Sequence, residues 1–405
     1  MATKLGSRFD KLTIAAGISN LGDGFMGAAF PLLVASITRE PLLVAGATLV
    51  GRLPWLLFAL LSGALVDRMD RKRVMVITDS LRAVGVTLLA FGVLSGDIGL
   101  VAIYVIAFGL GVAETFFDTS AEAITPRLVK TDQLPKANGR LQALEFVGGA
   151  LAGPPLGAFL FAVAVSLPFF VDGISFAVAA IFIALIPGTY RSERTVDASI
   201  GKDIGEGLRW LWGQKVLRTL VMMAGVTNLL FFGILATFVL FAQDILGVGD
   251  VGYGLLLSVV GLGGLLGALT APRLVAAIGP GSTIRLVVAS SAVLTLVFGS
   301  LSDPWLAGIV VFLWAFLTTG WNVVSVTLRQ TLTPDELRGR VSGSARLMAW
   351  GTQPLGALLG GVLASTLSLR APYYIAAVGF ALTLAVTWST ISNRTLEEAQ
   401  SGLGV

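Results

Sequence analysis

A few ionisable side chains stand inside runs that are otherwise apolar, and those are the positions where chemistry is possible. Asp23 lies about midway along the first apolar segment, close to Asn20, and is a candidate to bind a proton or a substrate cation. Glu114, Asp118 and Glu122 recur at intervals of four, on one face of a helix, so a cation must neutralise them or a proton must be retained. Glu145 and Asp172 extend the set, Asp172 following a short external turn where solvation is expected. Arg82, with Asp79 three residues before it, supplies a counter-ion, and Arg52 and Arg346 are further partners for these carboxylates. The chain has no His and no Cys. This excludes disulfides, iron–sulfur clusters, thiolate metal sites and a histidine-based triad, and it leaves proton chemistry to the carboxylates. No phosphate-binding glycine loop is present, so neither an enzyme nor an ATP-driven machine is expected, and no cofactor or metal is implied. Asn228, Trp321, Asn322, Trp350 and Gln353 provide neutral hydrogen-bonding and aromatic surface for one wall of a substrate cavity, and Asn20, Asp23 and Arg52 are further cavity candidates.

The elements that must carry these residues follow from composition. Of 405 residues, 55% are hydrophobic and 13% charged, with mean hydropathy +0.86. A bilayer crossing needs about 20 apolar residues, and twelve segments qualify, near 12–37, 42–66, 74–95, 98–120, 138–165, 167–187, 217–243, 251–275, 283–301, 304–326, 342–368 and 371–391. They lack the alternation of a β-barrel, so the fold class is an all-α membrane protein. Lys and Arg concentrate in the N-terminus, the even-numbered loops and the tail, whereas the odd-numbered loops hold only Arg39 and Arg370, which places both termini in the cytoplasm. The polar stretch 188–216 divides an N-terminal six-helix bundle, 1–187, from a C-terminal one, 217–405. The halves repeat: Ser19-Asn20-Leu21, Gly63-Ala64-Leu65 and Leu156-Gly157-Ala158 recur about 200 residues later as Thr227-Asn228-Leu229, Gly267-Ala268-Leu269 and Leu355-Gly356-Ala357. Such a duplication places a substrate site between the halves at mid-membrane depth. No run mixes basic and aromatic residues as a nucleic-acid surface does.

Two motifs are specific. The loop after the second segment reads Gly63-Ala64-Leu65-Val66-Asp67-Arg68-Met69-Asp70-Arg71-Lys72-Arg73. Gly63 permits close helix approach, Asp67 can accept from helix-start N–H groups or pair with an arginine, and the cations hold the loop at the cytoplasmic face. In the fifth segment Gly149, Gly153 and Gly157 are spaced by four, a groove on one helix face, with Pro154 and Pro155 introducing a kink.

These residues resemble two signatures of the major facilitator superfamily: the G-x-x-x-D-R-x-x-R-(K/R)-R loop and the G-x-x-x-G-P-x-x-G-G element of its antiporters. Asp70 stands where the family often has Gly, and Ala158 replaces the last Gly. Thr333-Pro334-Asp335-Glu336-Leu337-Arg338-Gly339-Arg340 and Ser19-Asn20-Leu21-Gly22-Asp23 extend the likeness to the branch of macrolide-efflux and enterobactin-export proteins. The resemblance implies a cytoplasmic latch formed by Gly63, Asp67, Arg68, Arg71, Arg73, Asp79, Arg82 and Asp118. It further implies a bacterial inner-membrane secondary transporter that exports amphiphilic small molecules by proton antiport. Its expected partners are substrate, protons and the bilayer, not nucleic acid, and a monomer is expected. Proton-coupling candidates are then Asp23, Glu114, Asp118 and Glu145. A siderophore or nutrient transporter, or a non-transporting receptor on the same scaffold, are the alternatives.

Overall fold

Segments that are apolar on every side have nowhere to place their backbone polar groups except in intrahelical hydrogen bonds, and the computed structural model is helical accordingly. It describes residues 5–191, 200–334 and 337–401, so Asp335 and Glu336 of the motif above lie outside the described residues. The helices are α1 (Ser7–Ile37), α2 (Pro41–Val66), α3 (Arg71–Ser95), α4 (Leu100–Leu128), α5 (Leu134–Glu145), α6 (Gly153–Val163), α7 (Leu167–Ala184), α8 (Ile200–Gly213), α9 (Lys215–Leu235), α10 (Phe238–Leu240), α11 (Asp250–Ile278), α12 (Pro280–Ser300), α13 (Pro304–Leu332), α14 (Arg338–Gly351), α15 (Gln353–Thr366), α16 (Ala371–Thr387) and α17 (Asn393–Ser401). A π-helical segment, Phe146–Ala152, joins α5 to α6, and another, Phe241–Ile245, follows α10. Among the described residues the sole β feature is an isolated bridge between Asp70 and Arg191.

Among the described residues, eleven helical stretches are long and apolar enough to cross a membrane, two of them composite: Thr131–Val163 includes α5, the π segment and α6, and Arg340–Thr366 takes in most of α14 and all of α15. Apolar α16, at 17 residues, is shorter. Several ends have clear local causes. Asp303 caps α13, accepting from the backbone N–H groups of Trp305 and Leu306 at 2.9 Å each, with Pro304 in the first turn where its missing N–H costs nothing. Gly279, at φ +84°, makes the sharp turn from α11 to α12. Asn393, the first residue of α17, fastens that turn: its Oδ1 accepts from Gly281 N at 2.7 Å and Ser282 N at 3.1 Å, while Nδ2 donates to Ile278 O at 2.9 Å.

The chain forms two compact units. Unit 1 comprises Met1–Thr38, Val50–Asp197 and Gly249–Ser258; unit 2 comprises Arg39–Leu49, Ala198–Val248 and Val259–Val405. Within unit 1, α1 packs on α6 and α7, and α3 on α4 and α7. Within unit 2, α9 packs on α15 and α16, and α12 on α13 and α16. The two internal plans match, and one pair of repeated triplets does matching work. Gly157 of α6 leaves no room for a Cβ against the backbone of Phe25 on α1, and Gly356 of α15 leaves none against the backbone of Leu229 on α9. Close approach through small residues is the packing that lipid favours, since no hydrophobic force draws apolar helices together there.

Candidate functional site

Arg82 is the centre of a charged cluster inside unit 1. Its Nη2 donates to Asp23 Oδ1 across the α1–α3 contact, and its Nη1 lies 3.5 Å from Asp79 Oδ1, one turn earlier on α3. Its Cζ sits 3.9 Å from the ring centroid of Phe176 on α7 and 5.8 Å from that of Phe117 on α4, so aromatic faces supplement the carboxylates. Exposure separates the partners. The side chains of Arg82 and Asp79 are 4% and 0% exposed, whereas Asp23 retains 37%. Asp23 is thus the member that can exchange with a passing ion, and Asp79 is sealed behind the guanidinium. Glu114 and Asp172 add their negative charges to the surroundings of Arg82. One buried cation is shared by several carboxylates, an arrangement in which losing the cation costs far more than the pair is worth in isolation.

Asp172 differs from the sequence expectation of a solvated residue: it is completely buried. Its position, more than one turn into α7, turns it toward α1, where Gly22 leaves no space for a Cβ against Asp172 and Ser175. Asp172 Oδ1 accepts from Ser175 Oγ at 3.1 Å, and its Oδ2 has no hydrogen-bond partner among the described residues. Asp118 is half-buried on α4 and lies within electrostatic range of Glu114, Arg82, Asp23 and Glu145. Glu145 ends α5, exposed, with Glu122 and Glu114 as its charged neighbours.

The loop residues stand apart from this cluster. Asp67 accepts from Arg71 at 3.3 Å, Arg71 is buried, Arg68 is exposed, and a Cβ on Gly63 would meet nothing within 4 Å. Asp70 does what the Gly often found there could not: it caps α3, accepting from Arg73 N at 3.1 Å, and its second oxygen accepts from Tyr190 N at 2.9 Å. Lys72 donates to Ile186 O at 2.9 Å, beyond the end of α7. The loop therefore fastens the segment after α7, whereas Asp79, Arg82 and Asp118, grouped with it in the sequence, belong with Asp23.

The glycine groove also needs correction. Gly153 and Gly157 meet the backbone of α1 at Gly24 and Phe25, but Gly149 faces open space and Gly148 takes its place against Asn20 and Leu21. The cause is the π segment: a helix with i→i+5 bonding advances its face by five residues instead of four, so the contact row runs 148, 153, 157. Pro154 and Pro155 sit in the first turn of α6, where the π register has already released their N–H obligations.

Among the described residues, unit 2 shows no such buried ionic centre. At the repeat position of Asp23 stands Phe231, and the space around it is a cavity of about 200 Å³ lined by Asn228, Phe231, Ser291, Trp314, Trp321 and Asn322, among others. Gln353 donates to Asn228 Oδ1 at 3.5 Å. Trp350 and Arg346, both exposed on α14, lie against each other at 5.4 Å, and Arg52 is exposed on α2. The sequence reading missed Trp314 and Ser291. The repeat offset that relates Asn20 to Asn228 was the signal available for Phe231.

A family model described as transmembrane secretion effector matches residues 5–401. The chain is 31% identical over 382 residues to the multidrug efflux pump Tap of Mycolicibacterium fortuitum, covering 89% of this chain and 90% of that one. It is 26% identical over 372 residues to the enterobactin exporter EntS of Shigella flexneri, covering 87% and 84%. Among solved structures, a bacterial homologue of the iron transporter ferroportin in its inward-facing state superposes with TM-score 0.78 at 17% identity, covering 96% of this chain and all of that one. The nucleoside transporter NupG superposes with TM-score 0.72 at 12% identity, covering 95% and 98%. With its helical packing repeated in two units and this match along nearly its whole length, the chain belongs to the transmembrane secretion effector family of major facilitator transporters, multi-pass membrane proteins and not enzymes.

Proposed function

We propose that this protein is a proton-coupled exporter of amphiphilic small molecules, with twelve crossings in two six-helix halves (1–187 and 217–405), the stretch 188–216 as linker, and both termini in the cytoplasm of a bacterial inner-membrane protein. The relatives' names, a multidrug efflux pump and an enterobactin exporter, support export as the direction. The observation that carries the coupling is the Arg82 cluster: an accessible Asp23 and a sealed Asp79 compete for one buried guanidinium. A proton on Asp23 removes one of the two ion pairs. Arg82 then stays with Asp79 on its own helix, and α1 loses its ionic tie to α3. Because α1 also packs on the π segment, on α6 and on α7, that tie governs how the first helix sits in its unit. A proton entering on one side and leaving on the other shifts the populations of two arrangements by its differential affinity for them, which is the requirement for coupled transport. Glu114, Asp118 and Glu145 act as secondary acceptors near Asp23, and the Asp67–Arg71 loop serves as the cytoplasmic latch.

The test is flux in proteoliposomes under an imposed pH gradient, using a lipophilic fluorescent dye as cargo. Dye accumulation driven by the gradient is the expected result, abolished in Asp23→Asn with dye binding retained. Flux indifferent to the gradient overturns the coupling, and gradient-driven flux retained in Asp23→Asn overturns the role of that residue.

A further inference from the structure

Helix α8 has two sides of different character, and one of them is already occupied. Gly207 leaves no room for a Cβ against the backbone of Arg340, and Leu211 is fully buried in a cluster with Val221, Val341 and Ala345. Glu206 pairs with Arg340 at 2.9 Å. Positions 207 and 211, one turn apart, therefore face α14 and α9. The other side carries Arg209 and Trp212, both exposed, with 45% of the tryptophan accessible. Lys215, exposed as well, begins α9, and Arg218 donates from Nη1 to Trp212 O at 3.1 Å, closing the corner between the two helices. Among the described residues neither Arg209 nor Lys215 forms an ion pair.

The depth of this corner follows from the helix it leads into. α9 is 21 residues long, Lys215–Leu235. It rises about 31 Å, which matches a hydrocarbon core about 30 Å thick. Lys215 therefore stands at a headgroup boundary, and with Gln214 alone between the helices the last turn of α8 stands there too. An indole suits that depth, its ring against the lipid esters and its N–H toward water. The cations beside it select for charge.

We propose that the α8–α9 corner is a binding surface for the headgroup of an anionic phospholipid, with Arg209 and Lys215 on its phosphate and the Trp212 ring among its glycerol esters. A zwitterionic headgroup carries its own cation beside the phosphate and gains little here. A phosphatidylglycerol headgroup brings a net negative charge, and each basic residue near such a surface is worth a roughly fivefold gain in affinity. Because Gly207 and Glu206 clamp α8 to α14, a lipid seated here holds this helix against the start of α14. The inference rests on neither export nor proton coupling, since it uses no residue of the Arg82 cluster or of the cavity in unit 2.

The experiment uses the full chain in lipid nanodiscs and reads Trp212 as the difference in emission between the parent and Trp212→Phe. Phosphatidylglycerol with brominated acyl chains, diluted in phosphatidylcholine, is compared with brominated phosphatidylcholine diluted in phosphatidylglycerol. The first should half-quench Trp212 at a mole fraction about fivefold or more below the second. Arg209→Gln/Lys215→Gln should abolish that preference, and Arg209→Lys/Lys215→Arg, which keeps both charges, should preserve it. Trp212 quenched by neither lipid, equal quenching by the two, a preference that survives loss of both cations, or its loss in the charge-preserving pair would each overturn the surface. Quenching relieved by soluble glycerol 3-phosphate would overturn the lipid in favour of a free phosphate ester.

Discussion

Arg82 holds together groups that the sequence could only nominate. An ionisable residue in an apolar run is costly enough to stand out, so Asp23, Asp79 and Arg82 were all legible as special. The sequence offers Arg82, beside Asp79, as a counter-ion, but not Asp23 as its partner, because a contact between α1 and α3 leaves no spacing signature, and the family resemblance groups Arg82 with the loop of residues 67–73. Asp172 was misread for a related reason: its distance from a turn says little about which way α7 faces it. The cluster predicts an ordering of stability. Arg82→Met, which strands Asp23 and Asp79 together, should lower stability by about 3–5 kcal/mol, and adding Asp23→Asn to it should recover part of that loss. Asp79→Asn, which leaves the Asp23 pair intact, should cost less, about 1–3 kcal/mol. Thermal melts of the detergent-solubilised protein check this, and an Arg82→Met variant as stable as the parent contradicts the picture.

At the scale of elements, the π segment between α5 and α6 decides which glycines do the packing. The element was legible as a helix with a small-residue face, and Gly153 and Gly157 were found on that face. Gly149 was not, because a change from i→i+4 to i→i+5 bonding has no compositional mark and a spacing of four reads as continuous α-helix. The substitution pair that separates the two descriptions is Gly148→Leu against Gly149→Leu. The first drives a side chain into the backbone of α1 at Asn20 and Leu21 and should cost about 1–3 kcal/mol. The second points into open space and should stay within about 0.5 kcal/mol. Equal losses in the melting temperature of both variants would mean that the face runs through Gly149 after all. Asp70 teaches the converse lesson. Read as a departure from a glycine-containing motif, it is the cap of α3 and the acceptor for Tyr190, a pairing that no local pattern predicts.

For the whole molecule, the fold class was the most legible property, since hydropathy and charge asymmetry follow directly from the solvent that surrounds the chain. The internal duplication was legible too, in three short matches, of which the pair around Gly157 and Gly356 makes the same kind of close backbone contact in each unit, whereas Gly63 and Gly267 do not. Topology has a direct test. The chain contains no cysteine, so single replacements at exposed positions report sidedness without background: Lys136→Cys and Ser401→Cys should react with a membrane-impermeant maleimide only from the cytoplasmic side, Asp97→Cys and Ser302→Cys only from the opposite side. Labelling of Ser401→Cys in intact cells would invert the assigned orientation. The two units share a packing plan but not an electrical character. The Arg82 cluster belongs entirely to unit 1, and the cavity of unit 2 is neutral. A transmembrane voltage does work only on charge, about 2.3 kcal/mol per elementary charge carried across 100 mV. Membrane potential therefore bears on the interior of one unit through Asp23 and its neighbours, and it leaves the aromatic cavity of the other untouched.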